Sequence, residues 1–197
     1  MKRQYVILTG SKNNAGDYLI KYRAKKLLAE LRPDRGIIDF DGWKLFTKEK
    51  LAEVNRSKAL ILLGGPALQN NMREKIYPMT KDLQDIEVPI AMLGVGYKGA
   101  QGTWEETHDY RLDDESLRLM RRINNSGVMS SVRDYHTLNA LQNYGLDNFI
   151  MTGCPALYSL DHLFEAAAPS VAIKKIGFSM GVSYCRSKSM AKQMKDV

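Results

Sequence analysis

A polar loop at residues 10–17 carries the side chains of this chain that are best suited to hold a polar ligand. Asn13 and Asn14 offer hydrogen-bond donors and acceptors, which a sugar hydroxyl or a carboxylate requires. Glycines such as Gly16 let the backbone turn sharply and let a ligand approach closely. Asp17 is placed either to cap the next helix or to hold a substrate hydroxyl, and a well-capped turn without a ligand is the alternative. No Gly-Lys-Ser/Thr follows, so the loop is not a P-loop.

Arg133 is the second candidate, because it stands at the end of a predicted strand and directly before a predicted helix. A guanidinium there is able to fork onto a phosphate or a carboxylate, and the alternative is an ion pair with an acidic residue at the sheet edge. Asp134 is expected to cap the helix. His108 lies among acidic residues and is a candidate general base, with a surface histidine as the alternative.

The cysteines and histidines do not predict a metal site. Cys154 and Cys185 form no CxxC pair, and the three histidines fit neither HxxxH nor HExxH. Residues 94–99 match GxGxxG, but no helical pattern follows them, so a dinucleotide site is not expected. The sequence therefore predicts neither a metal nor a bound cofactor.

Apolar runs alternate with helical stretches along the chain, which predicts an α/β fold with a mostly parallel, doubly wound, Rossmann-like sheet. The wholly apolar run 59–63 indicates a central strand that is buried on both faces. Residues 97–112 show no periodicity and are predicted to form a loop. The predicted strands are 5–9, 37–40, 59–63, 89–93, 128–132 and 148–152, and the predicted helices are 18–31, 47–55, 73–83 with an interruption at Pro78, 114–125 and 134–144.

Each predicted strand ends in a glycine-rich or polar turn. Right-handed crossovers place all such turns at one edge of a parallel sheet. The loops at Gly10, Gly64, Gly94, Arg133 and Gly153 are therefore expected to converge on one cleft.

The domain prediction assigns residues 1–165 to an N-terminal α/β lobe. Residues 165–170 resemble a linker, and a strand at 175–179 and a helix from Ser187 follow it. A lone strand and helix cannot bury their own faces. We therefore expect residues 170–197 to begin a second α/β lobe that is truncated here, with completion of the first sheet as the alternative.

Composition and charge narrow the class of protein. With 44% hydrophobic and 26% charged residues, the chain matches a soluble globular protein. No apolar run is long enough for a membrane span, and the N-terminus lacks signal-peptide features, so a cytoplasmic location is expected. The net charge of +7 is distributed over three groups of basic residues, and no compact Lys/Arg block is interleaved with aromatics, which favours an anionic small-molecule or lipid-linked substrate over nucleic acid.

Five motifs, in order, resemble the polysaccharide pyruvyl transferase family over residues 1 to about 160. The sequence departs from the family pattern at Pro66, where a third glycine is usual, and at Cys154, where an aspartate is usual. The motifs are Asn14-Ala15-Gly16-Asp17, Leu63-Gly64-Gly65-Pro66-Ala67-Leu68-Gln69, Gly94-Val95-Gly96, Ser131-Val132-Arg133-Asp134 and Thr152-Gly153-Cys154-Pro155-Ala156.

The resemblance implies a two-lobed fold similar to the GT-B glycosyltransferases. It also implies transfer of the enolpyruvyl group of phosphoenolpyruvate, as donor substrate, onto a sugar as a cyclic ketal. The implied acceptor is a sugar or lipid-linked oligosaccharide of a surface polysaccharide, in the cytoplasm or peripherally at the inner face of the membrane. The alternatives are a nucleotide-sugar-dependent glycosyltransferase of the same fold and a non-catalytic sugar-binding module of polysaccharide synthesis.

The resemblance also suggests roles for the site residues. Asp17 and Asn14 would contact the acceptor sugar, and Arg133 would help clamp the phosphate. The candidates for catalysis are Asp17 and, from its place among acidic residues, His108. The general acid and much of the phosphoenolpyruvate site are expected in the second lobe, so this chain alone is expected to be inactive. The implied substrate-binding residues are Asn14, Gly16, Asp17, Gly64, Gly65, Gln69, Gly94, Gly96 and Arg133.

Overall fold

A computed structural model describes residues 4–10, 14–100 and 102–162, together with Glu165 and Lys192. Four parallel strands form the central sheet in the order β2-β1-β3-β4. A parallel pair, β5-β6, follows β4, to which it is joined by a bridge between Val95 and Val132. The predicted mostly parallel α/β fold is confirmed. The strands are β1 (Tyr5–Thr9), β2 (Ile37–Asp41), β3 (Ala59–Leu63), β4 (Ile90–Leu93), β5 (Ser130–Val132) and β6 (Phe149–Met151).

Five α-helices lie between the described strands. Each begins after a residue whose side-chain oxygen accepts a hydrogen bond from a backbone N–H of the first turn, which satisfies a donor that the helix itself leaves free. These cap residues are Asn14, Thr47, Thr103, Asp113 and Asp134. The helices are α1 (Ala15–Leu31), α2 (Lys48–Arg56), α3 (Trp104–His108), α4 (Asp114–Asn124) and α5 (Tyr135–Gln142).

The sheet buries side chains on both faces, because alternate residues of a strand point to opposite sides. Ile7 and Ile61 pack against α1, in a cluster that includes Ile20. Leu8 and Leu60 belong to the larger cluster on the other face, which includes residues of α2, α4 and α5. All five residues of β3 are buried, which confirms the prediction of a central strand.

The strand order reverses direction between β1 and β3. The chain runs from β1 to β2 on one side and then returns past β1 to form β3 on the other side. The crevice at the carboxyl ends of two such strands is where open α/β sheets bind their ligands. This crevice is therefore the first place to look for a functional site.

Two of the predictions for local structure are wrong. The predicted helix over 73–83 reduces to a π-helical turn at Met72–Ile76 and a 3-10 turn at Leu83–Asp85. The buried Arg73 guanidinium donates instead to the backbone carbonyls of Tyr77, Pro78 and Thr80, which holds this stretch in an irregular path. The predicted loop over 97–112 contains α3, which is too short to show a helical period.

The described residues 4–162 belong to one compact unit, Met1–Leu163. Most of the predicted linker, the predicted strand at 175–179 and the helix from Ser187 lie outside the described residues. Among the residues that the structure describes, no helix is both long and apolar enough to cross a membrane.

Candidate functional site

A cavity of about 590 Å³ opens at the carboxyl ends of β1 and β3, where the strand order reverses. Its volume lies in the range of small-molecule sites. The lining residues come from the ends of both strands, from the first turn of α1 and from the segments that follow β2, β3 and β4. They are Thr9, Gly10, Asn14, Asp17, Ile20, Trp43, Leu63, Gly64, Gly65, Pro66, Ala67, Gln69, Asn70, Asn71, Lys75, Ile76, Tyr77 and Lys98.

The turn after β3 forms one wall of the cavity and requires glycine. Gly64 and Gly65 have φ values of 35° and 71°, a region that side chains with a Cβ disfavour. A Cβ on Gly64 would lie only 2.5 Å from Cγ2 of Ile20, and one on Gly65 would lie 3.6 Å from Oδ1 of Asp17. The missing side chain at Gly64 thus lets Ile20 of α1 pack directly against the backbone of the turn.

Asp17 contributes the only carboxylate among the described lining residues. Asn14, not Asp17, caps α1, because its Oδ1 accepts the N–H of Gly16 at 2.9 Å. Asp17 is therefore left to face the cavity from the first turn, where the helix dipole favours a negative charge. Burial and, secondarily, the charge of Asp17 raise the pKa of Tyr77, whose hydroxyl donates to the carbonyl of Leu63. Tyr77 thus lines the cavity as a neutral phenol.

Three successive amide side chains, Gln69, Asn70 and Asn71, form the opposite wall. Backbone hydrogen bonds hold this segment to the chain after β4, since Leu68 N–H donates to Gly96 O at 3.0 Å and Lys98 N–H donates to Leu68 O at 2.9 Å. Within the described ranges, the side-chain amides of Asn70 and Asn71 have no hydrogen-bond partner. They are available to a ligand.

Asp113 fixes the backbone of this amide wall. Asn71 lies in the left-handed region at φ 61°, and its N–H donates to the Asp113 carboxylate, which also accepts the N–H and hydroxyl of Ser116. Burial disfavours the charged carboxylate, but these hydrogen bonds outweigh it and lower the pKa of Asp113. The charged carboxylate therefore stabilises both the cap of α4 and the cavity wall.

We expect Asp113→Ala to lower the free energy of unfolding by about 1–3 kcal/mol at pH 7, since a cap is lost and the N–H of Asn71 is left unpaired. Because the folded-state pKa is depressed, this stabilisation is present above the ordinary value of 3.8 and is lost as the pH falls through the folded-state value. Urea unfolding of both proteins from pH 7 to pH 2 tests this. The exposed neighbour Asp114→Ala serves as control, and a wild-type advantage that persists unchanged in acid would contradict the prediction.

Two lysines also line the cavity. Lys75 and Lys98 are exposed, and neither forms an ion pair with a described acidic residue. They add positive charge to the lining, which attracts anionic groups. The lining also holds one carboxylate and four neutral amides.

The motif residues Gly94, Gly96 and Arg133 lie outside the cavity lining. A Cβ on Gly94 would overlap the ring of Pro155 and approach Gly153 O to 2.9 Å, and one on Gly96 would overlap the Arg133 guanidinium. Arg133 Nε lies 3.2 Å from Oδ2 of its neighbour Asp134, which is the ion pair with an acidic residue that the sequence left open as the alternative for Arg133.

Gly16 also lies outside the lining. Of the sequence-predicted site residues, the structure brings Asn14, Asp17, Gly64, Gly65 and Gln69 together around the cavity.

His108 is the last residue of α3 and lies outside the cavity lining. Its ring is 76% exposed and pairs with the carboxylate of Asp109 at 3.1 Å. Among the described residues, no group of three His, Cys, Asp or Glu side chains is placed to hold a metal ion. The surroundings of His108 are those of a surface histidine.

We expect His108→Gln to leave turnover within about twofold of wild type, because exposed positions outside the core and the cavity lining tolerate substitution. Steady-state rates of the two proteins under saturating substrate provide the measurement. A hundredfold loss without a change in unfolding free energy would return His108 to the list of catalytic candidates.

Several lining residues were absent from the sequence-based prediction. The main omission is the loop after β2, because β2 neighbours β1 and its carboxyl end lies beside that of β1. Asp41-Gly42-Trp43 directly follows the predicted second strand, and this turn signal beside an aromatic residue was the available clue. Among the residues missed are Trp43, Asn70, Asn71, Lys75, Tyr77 and Lys98.

Comparison with known families gives a match that extends over most of the chain. A family model described as polysaccharide pyruvyl transferase matches residues 14–190. A search of curated proteins finds no match.

Proposed function

Because the chain belongs to the polysaccharide pyruvyl transferase family and is thus a transferase, we propose that it moves a pyruvyl group from phosphoenolpyruvate onto a sugar. The product is a cyclic pyruvate ketal that bridges two hydroxyls of a surface polysaccharide or of its lipid-linked precursor. The reaction takes place in the cytoplasm or at the inner face of the membrane. It needs no cofactor besides the donor substrate.

The observation that carries this proposal is the chemistry of the cavity between β1 and β3. Sugar hydroxyls both donate and accept hydrogen bonds, and the amides of Asn14, Gln69, Asn70 and Asn71 do the same. Phosphoenolpyruvate is an anion that requires clustered cations, whereas the lining combines two exposed lysines with the carboxylate of Asp17 and four neutral amides. We therefore assign the cavity to the acceptor sugar.

The two exposed lysines of the lining support the approach of an anionic donor to a neutral acceptor. Lys75 and Lys98 supply positive charge for the place where phosphoenolpyruvate must meet the bound sugar. Arg133 remains a proposed phosphate contact, and its pairing with Asp134 would have to open for that role. The rest of the donor site is proposed to lie outside the residues that the structure describes.

The proposed reaction releases inorganic phosphate and balances its protons. One sugar hydroxyl attacks C2 of the donor after the methylene carbon gains a proton and becomes a methyl group, and the second hydroxyl forms the other C–O bond as the C–O bond to phosphate breaks. The two hydroxyl protons end on the methyl group and on phosphate. Asp17, as the carboxylate nearest the sugar, would accept a hydroxyl proton as general base.

Calorimetric titration of the protein with phosphoenolpyruvate is the first test, because it does not require the acceptor to be known. We expect binding, followed by phosphate release when a polysaccharide precursor fraction is added. Binding of a nucleotide sugar without binding of phosphoenolpyruvate would instead indicate a glycosyltransferase. Sugar binding without either donor would indicate a non-catalytic module.

A further inference from the structure

The backbone after β2 places Trp43 at the wall of the cavity. Gly42 N–H donates to the carbonyl of Thr9 at 3.1 Å, and a Cβ on Gly42 would lie 3.0 Å from that oxygen and 3.3 Å from the Tyr77 ring. Oδ1 of Asp41 accepts the N–H of Trp43 at 3.1 Å, which closes the turn. The position of Trp43 beside the end of β1 is thus set by the backbone.

The indole of Trp43 is anchored by its polar edge and remains open on its apolar surface. Its Nε1–H donates to the carbonyl of Gly10, so the only hydrogen-bonding group of the ring is satisfied within the protein. The residue is nevertheless 46% exposed and lines the cavity. A large aromatic ring held in this way is a preorganised contact surface.

The other polar groups of the cavity complement a sugar that lies against this ring. The face of an indole carries partial negative charge and attracts the positively polarised C–H groups of one pyranose face. The hydroxyls at the sugar's rim then reach the unpaired amides of Asn70 and Asn71 and the carboxylate of Asp17. The C–H face and the hydroxyls of a hexose thereby each have a partner in the cavity.

We propose that Trp43 is the stacking platform for the acceptor sugar and determines which pyranose the enzyme accepts. This inference rests on the proposed function only in calling the bound sugar the acceptor. A sugar with an equatorial set of hydroxyls presents a continuous C–H face and stacks best, whereas an axial hydroxyl on that face is rejected. Trp43 is therefore a specificity residue, distinct from the proton-transfer role of Asp17.

The second tryptophan provides a matched control. The chain contains two tryptophans, and the other one, Trp104, lies on α3 outside the cavity lining. It is 55% exposed, and its ring centroid lies 4.3 Å from that of His136. Within these 197 residues, Trp104→Phe leaves Trp43 as the only indole, and Trp43→Phe leaves Trp104.

Fluorescence of these two variants tests sugar binding without any transfer reaction. Both are titrated with the methyl glycosides of glucose, galactose, mannose and N-acetylglucosamine, with excitation selective for tryptophan. We expect a saturable change in emission in Trp104→Phe and none in Trp43→Phe. Unchanged emission of Trp104→Phe with every glycoside, or a response to free uridine diphosphate alone, would overturn the proposal.

Kinetics separate this inference from the proposed function. Trp43→Ala is expected to raise the acceptor KM by roughly tenfold while the phosphoenolpyruvate KM is unchanged, and Trp43→Phe is expected to restore most of the loss. Pyruvyl transfer that is insensitive to Trp43→Ala would remove the platform and leave the proposed function intact. If sugars change the Trp43 emission of a protein that never consumes phosphoenolpyruvate, the platform is retained and the proposed function is wrong.

Discussion

Replacement of Asp17 by Asn is expected to lower kcat for pyruvyl transfer by roughly 10²–10⁴-fold, the range that a positioned general base contributes. The amide fills the same space and still binds a hydroxyl, but it cannot accept a proton. Asp17 is the only carboxylate among the described lining residues, so no neighbour in that part of the cavity can substitute for it. The acceptor KM is expected to change little, since the hydrogen-bond acceptor is retained.

Steady-state kinetics with saturating phosphoenolpyruvate provide the measurement. Asp147→Asn is the control, because Asp147 is an exposed carboxylate between α5 and β6, at the opposite edge of the sheet. Loss of the charge in the first turn of α1 is expected to cost only about 0.3–1 kcal/mol of stability, which urea unfolding will check. Wild-type turnover in Asp17→Asn would remove Asp17 from catalysis.

Gly94→Ala is expected to lower the free energy of unfolding by about 2–5 kcal/mol. This range adds the cost of a left-handed backbone conformation at a residue with a Cβ to the cost of overpacking. Gly94 has φ 66°, and its new methyl group would overlap Pro155 and press on Gly153 O. Its N–H also donates to Ser131 O at 3.0 Å, a bond that joins the two parts of the sheet, so relief by backbone movement is itself unfavourable.

Gly145→Ala is the matched control for Gly94→Ala. Gly145 has φ 67°, almost the same as Gly94, but a Cβ there would meet no atom within 4 Å. The control therefore retains only the backbone penalty of about 1–2 kcal/mol. Denaturant unfolding of both variants isolates the steric contribution. Equal destabilisation of the two would show that the Pro155 ring moves away from the new methyl group without loss of stability.

The sequence predicted the strands and most helices well because their signals are local. The apolar run at β3 and the asparagine and aspartate residues before α1 and α5 act within a few residues of where they stand. The failed helix over 73–83 has the opposite character. The path of this segment depends on the buried Arg73 guanidinium, which binds carbonyls four to seven residues away. The hydrophobic periodicity of the sequence does not reveal such a contact.

The candidate site was predictable only in part, because it depends on which strands are neighbours. The loops after β1 and β3 meet because these strands pair, and the predicted residues Asp17, Gly65 and Gln69 share the cavity for that reason. Arg133 follows β5, which lies beyond β4 in the sheet, and so it does not reach the cavity lining. Pairing of β2 with β1 is equally non-local, and the sequence-based prediction therefore did not place Trp43 at the site.

The glycine turn after β3 also constrains how this family member can diversify. That wall of the cavity is bare backbone, and a side chain at Gly64 would collide with Ile20, so mutation cannot reshape it in small steps. If the cavity holds the acceptor sugar as proposed, inherited changes in acceptor preference are expected in the segments after β2 and β3 that hold Trp43, Asn70 and Asn71. A laboratory library aimed at new acceptors should be randomised at those three positions and should leave both glycines untouched.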